Sequence, residues 1–325
     1  MVYKAQDIST AAVIGFGTMG LGIAQNFAEG GLSVHVVDRN ADALKRGLTQ
    51  IRANLAIGQE QGVVDDPDTI HARITGFTWD DFEAATAGIQ LAVETVPEVM
   101  DIKKEVFARL DKLPPDVLIG SNTSSFTVSQ MTGDMTTADR VVGLHYFNPA
   151  HLIPAVEIHH GSKTSEDAIT QMIDIMTRVG KVPIRVRKEI PGFIINRLTG
   201  ALEREIDLLL DQGVVTPEDL DAAVKASLGF RLACIGPMEA EDFIGLDTAY
   251  RVSNNVFKDL SNATKASPEL GEKVARGELG IKSGKGWYDY SQTTTEEVFA
   301  ARDRKLLQQL ALYKSNTRRT PKAED

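Results

Sequence analysis

The sequence predicts an α/β protein in two parts, a doubly wound parallel sheet followed by an all-helical domain. Short apolar runs alternate with amphipathic segments through about the first 190 residues, and strand signals become scarce after that point. A glycine-rich turn also joins the first apolar run to the first amphipathic segment. Near-continuous apolar strands that alternate with helices are typical of a parallel sheet covered on both faces.

Composition narrows the possible classes of protein. The chain has 325 residues, of which 42% are hydrophobic and 25% charged, so it can form a full core and is not intrinsically disordered. It carries 35 basic and 45 acidic residues, for a formal charge of −10, without a basic stripe. We therefore expect no nucleic-acid partner, since a phosphate polymer would be repelled.

The only cysteine is Cys234, which excludes an intrachain disulfide and a cysteine-rich metal site. We expect no metal. No apolar run approaches the roughly 20 residues that span a bilayer, so we expect no membrane association. The first ten residues lack the apolar stretch of a secretory signal, and a single thiol fits a reducing compartment. These features predict a cytoplasmic protein.

The apolar runs of the first part predict five strands and a shorter sixth. Each is rich in Val, Ile and Leu over a few residues, and several end in Gly, Asp or Asn. Helical patterns lie between them, including 19–30, 41–57 and 100–112. The predicted strands are 11–17, 32–38, 89–96, 116–122, 140–147 and 153–158.

The second part reads as helical. Pro191 can begin a helix, and Gly213 predicts the end of that helix, because glycine is common just after a helix. The boundary near Pro191 predicts domains at 1–189 and 190–325. One apolar stripe recurs at about one helical turn and comprises Ile194, Leu198, Leu202, Ile206 and Leu209.

A G-x-G-x-x-G turn follows the first strand and begins the first helix. Gly15 permits a tight turn, Gly17 lets the backbone approach a pyrophosphate, and Gly20 lets the helix pack closely on the strand. The free N–H groups of the helix N-terminus, including those of Thr18 and Met19, then face the phosphates. The turn predicts a doubly wound, Rossmann-type domain that binds a dinucleotide.

An acidic residue completes this pattern. Asp38 ends the second strand, 18 residues after Gly20, where a carboxylate can accept both hydroxyls of a ribose and would repel a 2′-phosphate. Arg39 is a counter-signal, because a basic residue there can hold that phosphate. On balance the sequence favours NAD over NADP.

A histidine and a glutamate suggest an acid–base pair. His145 lies near the carboxyl end of the predicted strand 140–147, at the sheet edge where ligands bind, and Glu157 lies in the next short strand. If those strands are neighbours, the carboxylate could hold one imidazole nitrogen and leave the other for an alcohol proton. A satisfied structural histidine is the alternative.

Two further polar segments could bind a substrate or cofactor near this pair. The segment 121–125 follows a strand end, and its hydroxyls and amide could bind a substrate or cofactor oxygen, or could cap a helix. Asn196 and Arg197 follow the domain junction, where ligands often bind. A solvated helix face is the alternative for this pair.

Together these residues resemble the NAD-dependent L-3-hydroxyacyl-CoA dehydrogenase family, over about residues 10–290 and in the family's motif order. The shared motifs are G-F-G-T-M-G (15–20), V-E-T-V-P-E (93–98), S-N-T-S-S (121–125), H-Y-F-N-P (145–149), V-E-I (156–158), P-G-F-I-I-N-R (191–197) and G-K-G-W-Y-D-Y (284–290).

The resemblance implies a role for each matching residue. His145 would be the general base and Glu157 its orienting carboxylate. Ser124 and Asn196 match residues that contact the substrate oxygen and would polarise the carbonyl in the reduction direction.

On the cofactor side, the resemblance implies that Asn122 lies near the nicotinamide. Glu98 and Lys103 match contacts to the nucleotide. The helical domain resembles the region through which members of the family form dimers, so we expect a homodimer.

Three features depart from the short-chain acyl-CoA enzymes. The segment 53–68 has no lysine or arginine, although those enzymes usually have a lysine-containing CoA contact there, and Pro154 replaces a common lysine. The segment 228–237 is longer than usual and contains Arg231, which could pair a substrate carboxylate or form a structural ion pair. These departures resemble the branch that includes L-gulonate 3-dehydrogenase (lambda-crystallin), L-carnitine dehydrogenase and a dehydrogenase of pyridoxine degradation.

The resulting hypothesis is an NAD-dependent oxidoreductase that oxidises the secondary, or primary, alcohol of a small hydroxy carboxylate. One alternative is a short-chain (S)-3-hydroxyacyl-CoA dehydrogenase acting on 3-hydroxybutyryl-CoA. An alternative of another class is a non-catalytic NAD(H)-binding protein, either crystallin-like or sensing, because a fold alone does not establish turnover.

Overall fold

A computed structural model describes residues 1–317, which form two compact units. The first unit is Met1–Asn196, and the second begins at Arg197. The first unit includes the segment 190–196, which the sequence assigns to the second domain. That segment stays with the sheet because its backbone N–H groups bind a strand carboxylate, that of Glu157.

The first unit is built on one eight-stranded sheet in the order β3-β2-β1-β4-β5-β6-β7-β8. Neighbouring strands are parallel except for β6 and β7, which pair antiparallel. The predicted doubly wound fold is confirmed. The strands are β1 (Thr10–Ile14), β2 (Ser33–Asp38), β3 (Ile74–Thr78), β4 (Leu91–Glu94), β5 (Leu118–Ser121), β6 (Val141–Tyr146), β7 (Ala155–His160) and β8 (Val182–Val186).

Two strands, β3 and β8, have no counterpart among the predicted strands. β3 contains Gly76, and β8 contains Pro183, which cannot donate to a strand ladder. Both are edge strands, where such residues are tolerated because one side of the strand needs no partner. Their short, partly polar sequences give too weak an apolar signal to identify them.

Helices cover both faces of this sheet. The faces of β1 alternate: Ala11 and Val13 belong to the core on one side, and Ala12 and Ile14 to the core on the other. The helices that begin in the first unit are α1 (Thr18–Glu29), α2 (Ala41–Glu60), α3 (Pro67–Ala72), α4 (Phe82–Thr86), α5 (Met100–Leu110), α6 (Val128–Met131), α7 (Glu166–Arg178) and α8 (Ile195–Asp211).

The start of α8 differs from the prediction. Pro191 does not begin the helix, because Gly192 and Phe193 have φ values of +76° and +48° and form a turn before Ile195. The backbone of a right-handed helix cannot pass through two residues in that region. The predicted stop at Gly213, with φ of +65°, follows the end of α8 at Asp211.

The second unit is helical in the part of the chain that the structure describes. Thr216 is the N-cap of α9, and its hydroxyl accepts a hydrogen bond from the N–H of Asp219 at 3.2 Å. Within residues 1–317, no helix is both long and apolar enough to cross a bilayer. The further helices are α9 (Pro217–Val224), α10 (Phe230–Leu232), α11 (Pro237–Ile244), α12 (Leu246–Val256), α13 (Pro268–Ala275) and α14 (Thr295–Thr317).

The close packing of α1 on the glycine turn gives a test of the fold. A Cβ atom at Gly20 would overlap the carbonyl oxygen of Gly15, whereas one at Gly17 would meet nothing within 4 Å. We expect Gly20→Ala to lower the free energy of unfolding by about 1–3 kcal/mol, because backbone must move. The matched control Gly17→Ala should change it by less than about 1 kcal/mol. Urea denaturation measures both, and equal stability of the two variants would contradict this packing.

Candidate functional site

The glycine turn forms a backbone cradle at the end of β1. Gly15 has a φ of +101°, and a Cβ there would lie 2.9 Å from the backbone of Thr95. Gly17 is the N-cap of α1 and has no side chain to occupy the open space before the helix. The predicted cradle is therefore present, and the start of α1, at Thr18 and Met19, adjoins a space that suits a pyrophosphate.

Asp38 is fixed beside this cradle at the end of β2. One of its carboxylate oxygens accepts the N–H of Phe16 at 2.8 Å, and the other accepts the N–H of Asn40 at 2.9 Å. These bonds hold the carboxylate at the point where a Rossmann domain binds the adenosine ribose. The residues present thus fit a dinucleotide.

Arg39, the basic residue that could favour NADP, already forms an ion pair with Glu105. Its guanidinium lies 2.6 Å from both carboxylate oxygens of Glu105 and 5.1 Å from the ring centre of Trp79. A 2′-phosphate would have to compete with Glu105 for this group, which agrees with a preference for NAD.

Glu98 organises the polar loop after β5. Its Oε1 atom accepts hydrogen bonds from the hydroxyl of Thr123 at 2.5 Å, the hydroxyl and N–H of Ser125 at 2.8 and 2.9 Å, and the N–H of Ser124 at 3.1 Å. Desolvation alone would raise the pKa of Glu98, but these donors and the charge of Lys103 lower it to about 2. Glu98 is therefore an anion that fixes the loop.

Lys103 is completely buried between two carboxylates. Its Nζ atom lies 3.0 Å from both oxygens of Glu94 and 3.1 Å from Oε2 of Glu98. Ser121 donates to Glu94 at 2.6 Å. Because its side chain has no exposed surface, Lys103 does not reach a cofactor directly in this structure. Its connection to the predicted nucleotide site runs through its ion pair with Glu98.

His145 and Glu157 face each other across β6 and β7. The two residues are directly paired in the antiparallel register, and His145 Nδ1 lies 2.8 Å from Glu157 Oε2. The carboxylate is completely buried and the imidazole is 5% exposed. Nε2 of His145 has no hydrogen-bond partner among residues 1–317, so it is the nitrogen left for a substrate.

The other oxygen of Glu157 is held by backbone. Oε1 accepts the N–H groups of Ile194 and Ile195, at 3.0 and 2.9 Å, where the chain enters α8. Burial raises the pKa of Glu157, but the hydrogen bonds from His145 and from these two N–H groups outweigh it and lower the pKa below its usual value. An ionised Glu157 can only accept, so Nδ1 of His145 carries a proton.

The predicted substrate and nicotinamide contacts are gathered near the ends of β5 and β6. Asn196 Nδ2 donates to the backbone oxygen of Ser124 at 3.4 Å, and the Ser124 side chain is exposed. Asn122 is held in place because its Oδ1 accepts the N–H of Tyr146 at 3.0 Å. The first unit thus places these side chains around one end of the sheet.

Arg231 lies in the second unit, in α10. Its side chain is exposed, and within residues 1–317 its guanidinium makes no ion pair. The structural ion pair considered from the sequence is therefore not formed there.

Several residues of the site were not identified from sequence. Glu94 carried a usable signal, because a carboxylate inside the apolar run Leu91–Glu94 must have a partner once it is buried. The sequence gives no such signal for Phe193 and His159, because the stacking of their rings depends on a turn and on cross-strand register.

Two family models match the chain. Residues 10–190 match the 3-hydroxyacyl-CoA dehydrogenase NAD-binding domain, and residues 192–290 match the C-terminal domain of the same enzymes. The first family model ends at residue 190 and the second begins at residue 192, whereas the compact units divide between Asn196 and Arg197.

Individual relatives agree with these models. The 5-formyl-3-hydroxy-2-methylpyridine 4-carboxylate 5-dehydrogenase of Mesorhizobium japonicum is 36% identical over 92% of this chain and 96% of its own. A crystal structure of an enzyme of that name, described as an NAD+-dependent dismutase, has a TM-score of 0.87, with 34% identity over 94% of this chain and 99% of the other.

A probable 3-hydroxybutyryl-CoA dehydrogenase of Bacillus subtilis is 32% identical over 89% of this chain and all of its own. The structure of (S)-3-hydroxybutyryl-CoA dehydrogenase from Ralstonia eutropha has a TM-score of 0.69, with 33% identity over 88% of this chain and all of the other. The resemblance seen in the sequence is confirmed, as are an NAD cofactor and a dehydrogenase activity on CH–OH groups. The chain belongs to the 3-hydroxyacyl-CoA dehydrogenase family.

Proposed function

We propose that this enzyme oxidises the alcohol of a small hydroxy carboxylate, with His145 as the base and Glu157 as its partner. The observation that carries the proposal is the 2.8 Å contact between His145 Nδ1 and an ionised, buried Glu157. That contact fixes the tautomer in which Nε2 has a free lone pair. Nε2 can then take the hydroxyl proton as hydride leaves the carbinol carbon, and the C–O bond becomes a carbonyl.

The remaining side chains position the reacting oxygen. The hydroxyl of Ser124 and the amide of Asn196 would donate to the alkoxide or carbonyl oxygen, stabilising the negative charge that develops on it. In the reverse direction, protonated His145 returns the proton to that oxygen. Because His145 gains positive charge when it accepts a proton, the anionic Glu157 stabilises the charged form.

NAD supplies the hydride acceptor when it is bound. The cradle of Gly15, Gly17 and Gly20 would hold its pyrophosphate, and Asp38 its adenosine ribose. Asn122, which directly follows β5, would lie on the nicotinamide side, and Glu98, in the loop after β4, would contact the nucleotide.

Similarity to relatives supports a small carboxylate as substrate. The relative with the pyridine carboxylate name shares 36% identity with this chain, and its structure superposes with a TM-score of 0.87. The structure of (S)-3-hydroxybutyryl-CoA dehydrogenase from Ralstonia eutropha has a TM-score of 0.69 with this chain. Arg231, exposed and without an ion pair in the described chain, could pair a substrate carboxylate in a bidentate fork.

A substrate panel tests this choice. We expect kcat/KM for one of L-gulonate, carnitine or hydroxymethylpyridine carboxylates to exceed that for 3-hydroxybutyryl-CoA, as read by NADH absorbance. The reverse order would favour the acyl-CoA alternative, which the similarity to the Bacillus subtilis relative keeps open. Tight NADH binding without turnover of any compound would favour a non-catalytic NAD(H)-binding protein.

Replacing the acid–base pair tests the mechanism. We expect His145→Gln to lower kcat by about 10²–10⁴, because no group remains to take the proton. NADH affinity should stay within about twofold, because the glycine cradle and Asp38 lie elsewhere. Stopped-flow rates and NADH fluorescence measure both effects.

Glu157→Gln provides the matched variant. Its amide keeps the size of the side chain but cannot stabilise an imidazolium by charge, so kcat should also fall. If the two residues act as one unit, the double variant should be little worse than His145→Gln alone. Full activity in a folded His145→Gln variant would refute the mechanism.

We also propose that the chain forms a homodimer through its helical unit. Large apolar side chains in this unit are exposed, with Phe230 and Phe243 at 74%, Tyr250 at 73% and Phe257 at 68%. From α9 to α13 no residue of a helix is buried. Such extensive apolar exposure is unusual for a monomer and is typical of a protein–protein interface.

The single cysteine supports a cytoplasmic location for this assembly.

Light scattering tests the assembly. At micromolar concentration we expect a mass of twice the 35.4 kDa of one chain. Phe243→Asp together with Tyr250→Asp should shift the mass toward one chain, since burying charged groups opposes association. A single-chain mass for the unmodified protein would contradict the proposal.

A further inference from the structure

Phe193 is the one non-glycine residue of the described chain with a positive φ, at +48°. A bulky aromatic residue in the left-handed region is strained, and such strain persists only where the surroundings enforce it. The side chain is 1% exposed. Its neighbour Ile194 provides one of the N–H groups bound to Glu157, so this strained residue immediately precedes the anchor of the catalytic carboxylate.

The ring of Phe193 lies between two imidazoles. It stacks on His159 with a centroid separation of 3.8 Å and an interplanar angle of 25°, and it lies 5.3 Å from the ring of His145 at 55°. His145 and His159 belong to β6 and β7 respectively. Phe193 therefore bridges the candidate base to a second histidine that the mechanism does not use.

His159 is buried without a polar partner. It is 1% exposed, and within residues 1–317 neither ring nitrogen makes a hydrogen bond. Burial lowers its pKa to about 3, with a further contribution from nearby His145, so the ring is neutral. Two buried nitrogens without a hydrogen-bond partner are costly, so the contacts of this ring with its neighbours are apolar.

The sheet leaves a space made for this ring. Gly143 lies directly opposite His159 in the register of β6 and β7, and a Cβ at Gly143 would overlap the imidazole. The ring therefore lies over the glycine, on the sheet face shared by Glu157 two residues earlier on β7. Gly143 and His159 together form a flat platform under Phe193.

We propose that Phe193, supported by the His159–Gly143 platform, is a positioning residue for the His145–Glu157 pair. The stacked ring holds the turn in its strained conformation, and the turn presents the N–H groups of Ile194 and Ile195 to Glu157. Losing the stack would release these groups and leave Glu157 poorly aligned with His145. This inference rests on the proposed function.

Three variants separate the ring from the backbone. In Phe193→Ala a positive φ is still strained, but the stack that enforces it is lost, so we expect kcat to fall by about 10-fold or more with the KM for NAD unchanged. Phe193→Gly adopts a positive φ without strain, so its kcat should fall less than that of Phe193→Ala. Phe193→Tyr should retain activity within a few-fold, since the ring remains.

The platform is tested independently. His159→Phe keeps an aromatic face and removes both nitrogens, and we expect kcat within about threefold of the unmodified enzyme. His159→Ala and Gly143→Ala should each resemble Phe193→Ala, the first by removing the ring and the second by displacing it. Equal losses in His159→Phe and His159→Ala would overturn the proposal, because the imidazole nitrogens would then be required themselves.

Two further readouts distinguish positioning from general destabilisation. The pH profile of kcat/KM for oxidation should move in Phe193→Ala, because the hydrogen bonds to Glu157 change, while NADH affinity changes little. An unmoved profile would overturn the proposal. If His145→Gln is itself fully active, the proposed mechanism fails first; if His145→Gln is inactive and the Phe193 series is uniform, only this inference fails.

Discussion

The buried carboxylate of Glu157 is the group on which the candidate active site depends. One oxygen is held by two backbone N–H groups and the other by the imidazole of His145, so both are satisfied in a place where an unpaired anion would be costly. Antiparallel pairing of β6 with β7 places the two side chains directly opposite each other. This single exception to a parallel sheet creates the acid–base pair.

A second carboxylate, that of Glu98 in the loop after β4, also binds several backbone and side-chain donors. Glu98 gathers donors from the loop after β5 through one oxygen and binds the buried Lys103 through the other. These donors and the charge of Lys103 lower the pKa of Glu98, so the loop is arranged around an anion. Glu157 and Glu98 therefore each fix a backbone segment, and a hydrogen bond from Asn196 Nδ2 to the backbone oxygen of Ser124 joins the two segments.

Much of this could be predicted from the sequence, because the signals were local. Apolar runs identified six strands, and the glycine spacing with Asp38 predicted a site for the cofactor. The edge strands β3 and β8 gave too little apolar signal. The true start of α8, the Phe193–His159 stack and the burial of Lys103 depend on contacts between distant residues, which spacing alone does not reveal. The turn before α8 contains Gly192, yet the sequence does not show that Phe193 shares its backbone conformation.

The tautomer of His145 tests the central claim most directly. Nitrogen-15 NMR of histidine-labelled enzyme, with His145→Gln to assign the signal, distinguishes a proton on Nδ1 from one on Nε2. At a pH where the ring is neutral, the account predicts a proton on Nδ1 facing Glu157, with Nε2 unprotonated, and loss of that preference in Glu157→Gln. A neutral His145 that carries its proton on Nε2 would contradict the account, since that nitrogen could not accept a proton from the substrate.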